Sequence, residues 1–159
     1  MIQPEPLKQQ PMRVLFLCTH NSSRSQMAEG LLRARGGETF EVFSAGTHPR
    51  IVHPLAIKAM AEVGIDISKQ RAKGIEEFTN QPSIDVVVTV CDEAAEECPI
   101  FPNARQQVHW SFPDPSVATG TEQERLEVFR SVRNLITSRI DAFLDKEAEY
   151  LTYYSSRNL

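Results

Sequence analysis

Short apolar runs alternate with stretches of helical periodicity along this chain. Val14-Leu15-Phe16-Leu17 and Val86-Val87-Val88 are continuous rather than alternating, as in parallel strands covered on both faces. They predict strands over 13–18 and 84–90, with further strands at 40–44 and 107–110. Helices are predicted over 23–35, 54–63, 75–80, 93–97 and 121–150. In the last, Leu126, Phe129, Val132, Ile136, Ile140 and Phe143 recur at helical spacing and read as a core face. Strands alternating with helices place the chain in the α/β class. The expected architecture is a single three-layer domain, a four-stranded parallel sheet flanked by helices and wound by right-handed crossovers. With no internal repeat or linker, one domain is expected over 12–152, with loose tails at 1–11 and 153–159.

The chemistry is concentrated where the first strand ends. The apolar run stops at Cys18, and a polar loop follows: Thr19, His20, Asn21, Ser22, Ser23, then Arg24 and Ser25 at the start of a helix. A loop entering a helix N-terminus gathers backbone N–H groups where the helix dipole also favours negative charge. Arg24 adds a planar fork of donors suited to a tetrahedral oxyanion. The same field stabilises a thiolate, so Cys18 reads as a nucleophile aimed at a phosphate-like ion. Asn21 tolerates the left-handed backbone that a tightly curled anion loop requires.

Charge and length narrow the classes. At 159 residues the chain is long enough to bury a core. A net charge of −4 with no basic stripe argues against a nucleic-acid partner. No apolar run is long enough to span a membrane, and residues 1–12 lack the apolar core of an export signal. A cytoplasmic, reducing location is therefore expected, and three cysteines there are catalytic, redox-active or merely buried.

Cys91 ends the third strand in chain order, and Cys98 follows after six intervening residues. If that segment is helical, both thiols point the same way with Cα atoms roughly 10.5 Å apart. A disulfide needs them within roughly 7 Å, so the two pair only if the helix unwinds. The segment is a candidate redox switch. Zinc binding fits the spacing poorly, and His20, His48, His53 and His109 form no ligand pattern. Asp114, between Pro113 and Pro115, is placed on a stiff loop and is a candidate general acid.

These residues resemble a known family. The run from Cys18 to Ser25, Ser44-Ala45-Gly46 and Asp114-Pro115 resemble the low-molecular-weight protein tyrosine phosphatase fold. Val88-Thr89-Val90-Cys91, Cys98-Pro99 and His109-Trp110 resemble its thioredoxin-coupled arsenate reductases. The resemblance implies that Cys18 attacks arsenate while Asp114 protonates the leaving oxygen. The loop from Thr19 through Ser25, with Arg24, holds the oxyanion. Cys91 and then Cys98 carry the oxidation away as successive disulfides, regenerated by thioredoxin or another thiol donor. Ser25 is expected to bond the Cys18 thiolate. Neither a metal nor a cofactor is expected in the chemistry, and a monomer is expected. The competing readings are a tyrosine phosphatase and a non-catalytic thiol sensor for arsenite or zinc.

Two departures matter. Where phosphatases carry aromatic side chains to receive a phosphotyrosine ring, this chain has His48, Pro49, Ser116 and Val117. Some reductases bind potassium through residues resembling Asn21, Glu29 and Ser44, but the acidic partner is replaced here by the basic run 68–73. Whether potassium binds or Lys73 supplies the charge is left open. His20, where the family often has glycine, is assigned no role.

Overall fold

The computed structural model describes residues 10–80, 83–92, 100–102 and 104–157, with side chains through residue 147. The helix expected at 93–97, Cys98 and residues 1–9 of the expected N-terminal tail lie outside these residues.

Strands β1 (Met12–Cys18), β2 (Phe40–Gly46), β3 (Ile84–Thr89) and β4 (Ala104–His109) form one parallel sheet in the order β2-β1-β3-β4. Helices α1 (Arg24–Gly36), α2 (Pro54–Ala61), α3 (Glu76–Thr79) and α4 (Glu122–Arg157) complete the domain. The expected α/β class and four-stranded parallel sheet are what is found. β4 starts three positions earlier than the pattern predicts, because Arg105, Gln106 and Gln107 form an exposed sheet edge with no apolar signal. The 75–80 helix is only the single turn of α3, and α4 runs on to Arg157, past the predicted 121–150.

Alternation along β1 distributes its side chains between two cores. Val14, Phe16 and Cys18 face α1, α2 and α4, packing with Met27, Leu31, Met60, Phe129 and Ile136. Leu15 and Leu17 face the other layer, with Phe78, Ile84, Val87 and Phe101. The α4 stripe Leu126, Phe129, Val132, Ile136 and Ile140 is buried in the first of these cores, as its spacing predicts. Cys18 therefore emerges at the carboxyl end of a central strand, on the face covered by the long helices, where open parallel sheets place their ligands.

α1 is buried from Arg24 through Leu32, polar residues included. Burying Arg24, Ser25, Gln26 and Glu29 is tolerable only where each finds partners, and those partners build the site. No described helix is long and apolar enough to cross a membrane.

Candidate active site

The loop between β1 and α1 is curled by its own backbone and tied down from one side. Asn21 sits at φ 48°, the left-handed conformation expected of it. The carbonyls of Cys18, Thr19, His20 and Ser22 accept from the N–H groups of Thr47, His48, Arg50 and His53. Loop acceptors are thus engaged by the segment after β2. Gly46 makes this approach possible, since a Cβ there would lie 2.6 Å from the Thr19 carbonyl oxygen.

A chain of donors leads to the sulfur. The Lys73 backbone N–H donates to one side-chain atom of Asn21 at 2.9 Å, which identifies that atom as Oδ1. Gln26 Nε2 donates to the same oxygen at 2.9 Å. Asn21 Nδ2 is then the group facing Ser25, donating to its Oγ at 2.8 Å. The same hydroxyl is hydrogen-bonded to Cys18 Sγ, 2.9 Å away. The Asn21 backbone N–H donates to the same sulfur at 3.1 Å. Ser25 Oγ and the Asn21 N–H thus both converge on Cys18 Sγ. The expected Ser25 contact is present.

Arg24 is 3% exposed, and its Nη1 donates to the Phe112 carbonyl at 3.2 Å. Its Nη2 lies 3.6 Å from Asp114 Oδ2. The other carboxylate oxygen of Asp114 accepts from the backbone N–H and the hydroxyl of Ser116, capping the turn Pro115–Val117. One carboxylate oxygen is consumed in holding the loop while the other faces the arginine. These groups surround a cavity of about 260 Å³ lined by Cys18, Ser23, Arg24, Arg50, His53 and Asp114, among others. Its size suits a small ion with water better than an extended substrate.

Behind the loop lies a buried carboxylate. Glu29 Oε1 accepts from the Ser44 hydroxyl at 2.6 Å and lies 3.5 Å from Lys73 Nζ, while Oε2 meets Arg33 at 3.0 Å. Burial pulls the Lys73 ammonium below the ordinary lysine value, an effect that Glu29 opposes. A potassium ion does not fit among residues whose carboxylate already faces a lysine and an arginine. Lys73 supplies the charge, and its backbone N–H also props Asn21. Lys73→Met is expected to lower unfolding stability by about 2 kcal/mol, less than the ~3–5 kcal/mol of a buried pair broken outright, because Arg33 remains. Urea denaturation measures this, and an unchanged midpoint would contradict it.

By its place in the sequence His53 is only one of four histidines that form no ligand pattern. The structure places it on the cavity wall as N-cap of α2, its Nδ1 accepting from the Leu55 N–H at 3.0 Å. The available signal was His53-Pro54, a cap residue before a proline at the first helical position. Its ring packs on Phe129 at 4.6 Å. Burial lowers its pKa below 6.5 and Arg125 lowers it further, while Asp114 partly offsets both. The unfolded chain therefore binds the His53 proton more readily. The stability this provides is complete above pH 6.5 and falls as pH drops through the lower folded-state value. His53→Asn, which keeps a cap acceptor, is expected to flatten that part of a melting-temperature profile between about pH 7.5 and 5.

His20 lines the same cavity, and its Nδ1 bonds the His48 carbonyl at 3.1 Å, so Nδ1 carries the proton. Cys91 follows β3, fully buried and disulfide-bonded, whereas Cys18 is free. The Val90 N–H donates to the Leu17 carbonyl at 3.0 Å, extending the β1–β3 pairing and bringing the ends that carry Cys18 and Cys91 side by side. Of the residues singled out from the sequence, Cys18, His20, Ser22, Ser23, Arg24 and Asp114 line one cavity, whereas Thr19, Asn21 and Ser25 do not line it; Cys91 stands on the neighbouring strand end, and Cys98 is outside the described residues. Among the described residues no cluster of three His, Cys, Asp or Glu side chains is arranged to hold a metal.

The chain is similar to known proteins over most of its length. Residues 13–151 match the family described as low molecular weight phosphotyrosine protein phosphatase. An arsenate reductase of Halalkalibacterium halodurans is 47% identical over 132 residues, covering 83% of this chain and 94% of that protein. A solved arsenate reductase in its oxidized state superposes with a TM-score of 0.71 at 37% identity, over 85% of this chain and 98% of that one. A thioredoxin-dependent arsenate reductase of Corynebacterium glutamicum superposes at 0.53 with 28% identity, over 83% of this chain and 63% of that one. By the extent of these matches, the chain belongs to the low molecular weight phosphotyrosine protein phosphatase family, alongside its arsenate reductases.

Proposed function

We propose that this chain reduces arsenate to arsenite in the cytoplasm, as a monomer, using three thiols in relay. The observation that carries the reading is the division among its cysteines: Cys18 is free in the anion cavity, and Cys91 on the adjacent strand end is disulfide-bonded. A phosphatase has no use for the second thiol.

Arsenate sits in the loop 19–25 against backbone N–H groups and the Arg24 fork. The Cys18 thiolate, held by Ser25 and Asn21, attacks arsenic and forms an S–As bond. Asp114 gives a proton to the departing oxygen, which leaves as water. Cys91 as thiolate then attacks Cys18 Sγ. The new S–S bond forms as the S–As bond breaks, and its electron pair stays on arsenic, which leaves as arsenite. Cys98 attacks Cys91 in turn, freeing Cys18 as thiolate and leaving Cys91 and Cys98 joined. A dithiol donor, thioredoxin, returns the two electrons by exchange.

The competing reading, phosphotyrosine hydrolysis, shares the first step. Among the described residues, no Phe, Tyr or Trp lines the cavity. Ile51, His53 and Ser116 stand there instead of the large aromatic side chains that receive a phenyl ring. The test is NADPH consumption on adding arsenate to the chain with thioredoxin and thioredoxin reductase. Continuous consumption is expected. Stoichiometric metalloid or zinc binding without turnover would support a sensor instead, and efficient phosphotyrosine hydrolysis a phosphatase.

A further inference from the structure

Between the edge strand β4 and the later turns of α4 lies a second cavity of about 860 Å³, which shares no lining residue with the Cys18 site. It extends from the amino ends of β1, β3 and β4, beside Met12, Asp85 and Arg105, to Trp110 just after β4. Its floor is apolar: Val86 and Val108 lie along it, and the Trp110 indole meets the Phe143 ring edge-on at 5.9 Å. The α4 wall carries Arg139 and Lys146. Arg139 stands over the indole at 5.5 Å, and among the described residues neither cation forms an ion pair. Contiguous apolar surface of this kind is seldom left to water on a small protein.

The chain itself enters the described structure on the wall of this groove. Gln10, the first described residue, lines it, as does Met12 at the start of β1. The family match begins only at residue 13, so residues 1–9 lie outside the part of the chain that the family accounts for. Their sequence, Met1-Ile2-Gln3-Pro4-Glu5-Pro6-Leu7-Lys8-Gln9, suits the groove in length, stiffness and charge. Nine residues reach up to about 30 Å from Gln10, whereas β4 from Arg105 to Trp110 covers only about 17 Å. Pro4 and Pro6 restrict their own backbone and that of the residues before them to extended angles, so less freedom is lost on seating. Ile2 and Leu7 are apolar, and Glu5, the only acid before β1, complements the two cations on α4.

We propose that residues 1–9 are seated in this groove, with Leu7 on the Trp110–Phe143 floor and Glu5 against Arg139 and Lys146. So placed, the segment ties the exposed edge strand β4 to α4. It also braces Trp110, whose backbone N–H donates to the Thr89 carbonyl at 2.8 Å and which stands four residues before Asp114. None of this depends on the reaction at Cys18.

Trp110 is the single tryptophan of the chain, so its fluorescence reports on this groove alone. The test compares the full chain with two full-length variants, Leu7→Ser and Glu5→Lys. In the full chain, NMR is expected to show nuclear Overhauser contacts from the Leu7 methyls to the Trp110 and Phe143 rings. Each variant is expected to open Trp110 to acrylamide quenching and to lower the melting temperature by about 2–4 °C. Leu7 lies outside the strands and helices, so neither change threatens the fold. Either variant leaving quenching and melting at the wild-type values overturns the proposal. Absence of the methyl contacts from the full chain also overturns it, leaving the groove open. Contacts found only between differently labelled copies overturn it as well, since a second copy then fills the groove.

Discussion

Cys18→Ser is expected to abolish arsenate turnover and aryl phosphate hydrolysis together. A serine hydroxyl at this position is un-ionised at neutral pH. The two groups that contact Cys18 Sγ, Ser25 Oγ at 2.9 Å and the Asn21 N–H at 3.1 Å, do not create an alkoxide. Loss of both activities by at least about 10⁴-fold is expected, the scale seen when an activated nucleophile is removed. The fold should survive, because Cys18 is small and its replacement nearly isosteric, so phosphate should still raise the melting temperature of the variant. Reduction surviving in this variant would move the first chemical step to another thiol.

Cys91→Ser is expected to separate the two activities. Attack on arsenate or on an aryl phosphate requires Cys18, Arg24 and the loop. Only the release of arsenite needs a second thiol. Arsenate turnover should fall to background, leaving at most one equivalent of oxyanion on Cys18, while hydrolysis of p-nitrophenyl phosphate stays within about twofold of wild type. The narrow tolerance follows from position. Cys91 is fully buried at the end of β3, and a serine there loses little volume. Equal loss of both activities would mean that Cys91 holds the strand ends in register rather than carrying electrons. Mass spectrometry of the arrested variant supplies an independent reading, since a relay without its second thiol cannot form the Cys18 disulfide.

Much of this protein was legible before any coordinates. Unbroken valine and leucine runs marked β1 and β3 because strands buried on both faces leave no polar alternation. The stripe on α4 marked its core face for the analogous helical reason. Cys18, Asn21, Ser25 and Arg24 were legible because a strand end, a short polar loop and a helix start leave the chain few ways to curl. The extent of β4 was not, because an edge strand such as Arg105-Gln106-Gln107 is solvated and carries the composition of a loop.

The sequence by itself determined the layer architecture and the nucleophile loop, since both depend on neighbours within a few positions and on periodicities of two and of about 3.6. Only the tertiary structure decided which distant groups complete the site. Asp114 reaches Arg24 across 90 positions of sequence, Lys73 meets Glu29 and Asn21 from a segment after α2, and His53 turns from a helix cap into a cavity wall. It also decided that Ser23, the N-cap residue of α1, makes no side-chain cap bond. Such outcomes depend on where several elements pack at once. Hydrogen-bond partners are settled by that packing to within tenths of an ångström, whereas residue spacing specifies only the element on which each partner rides.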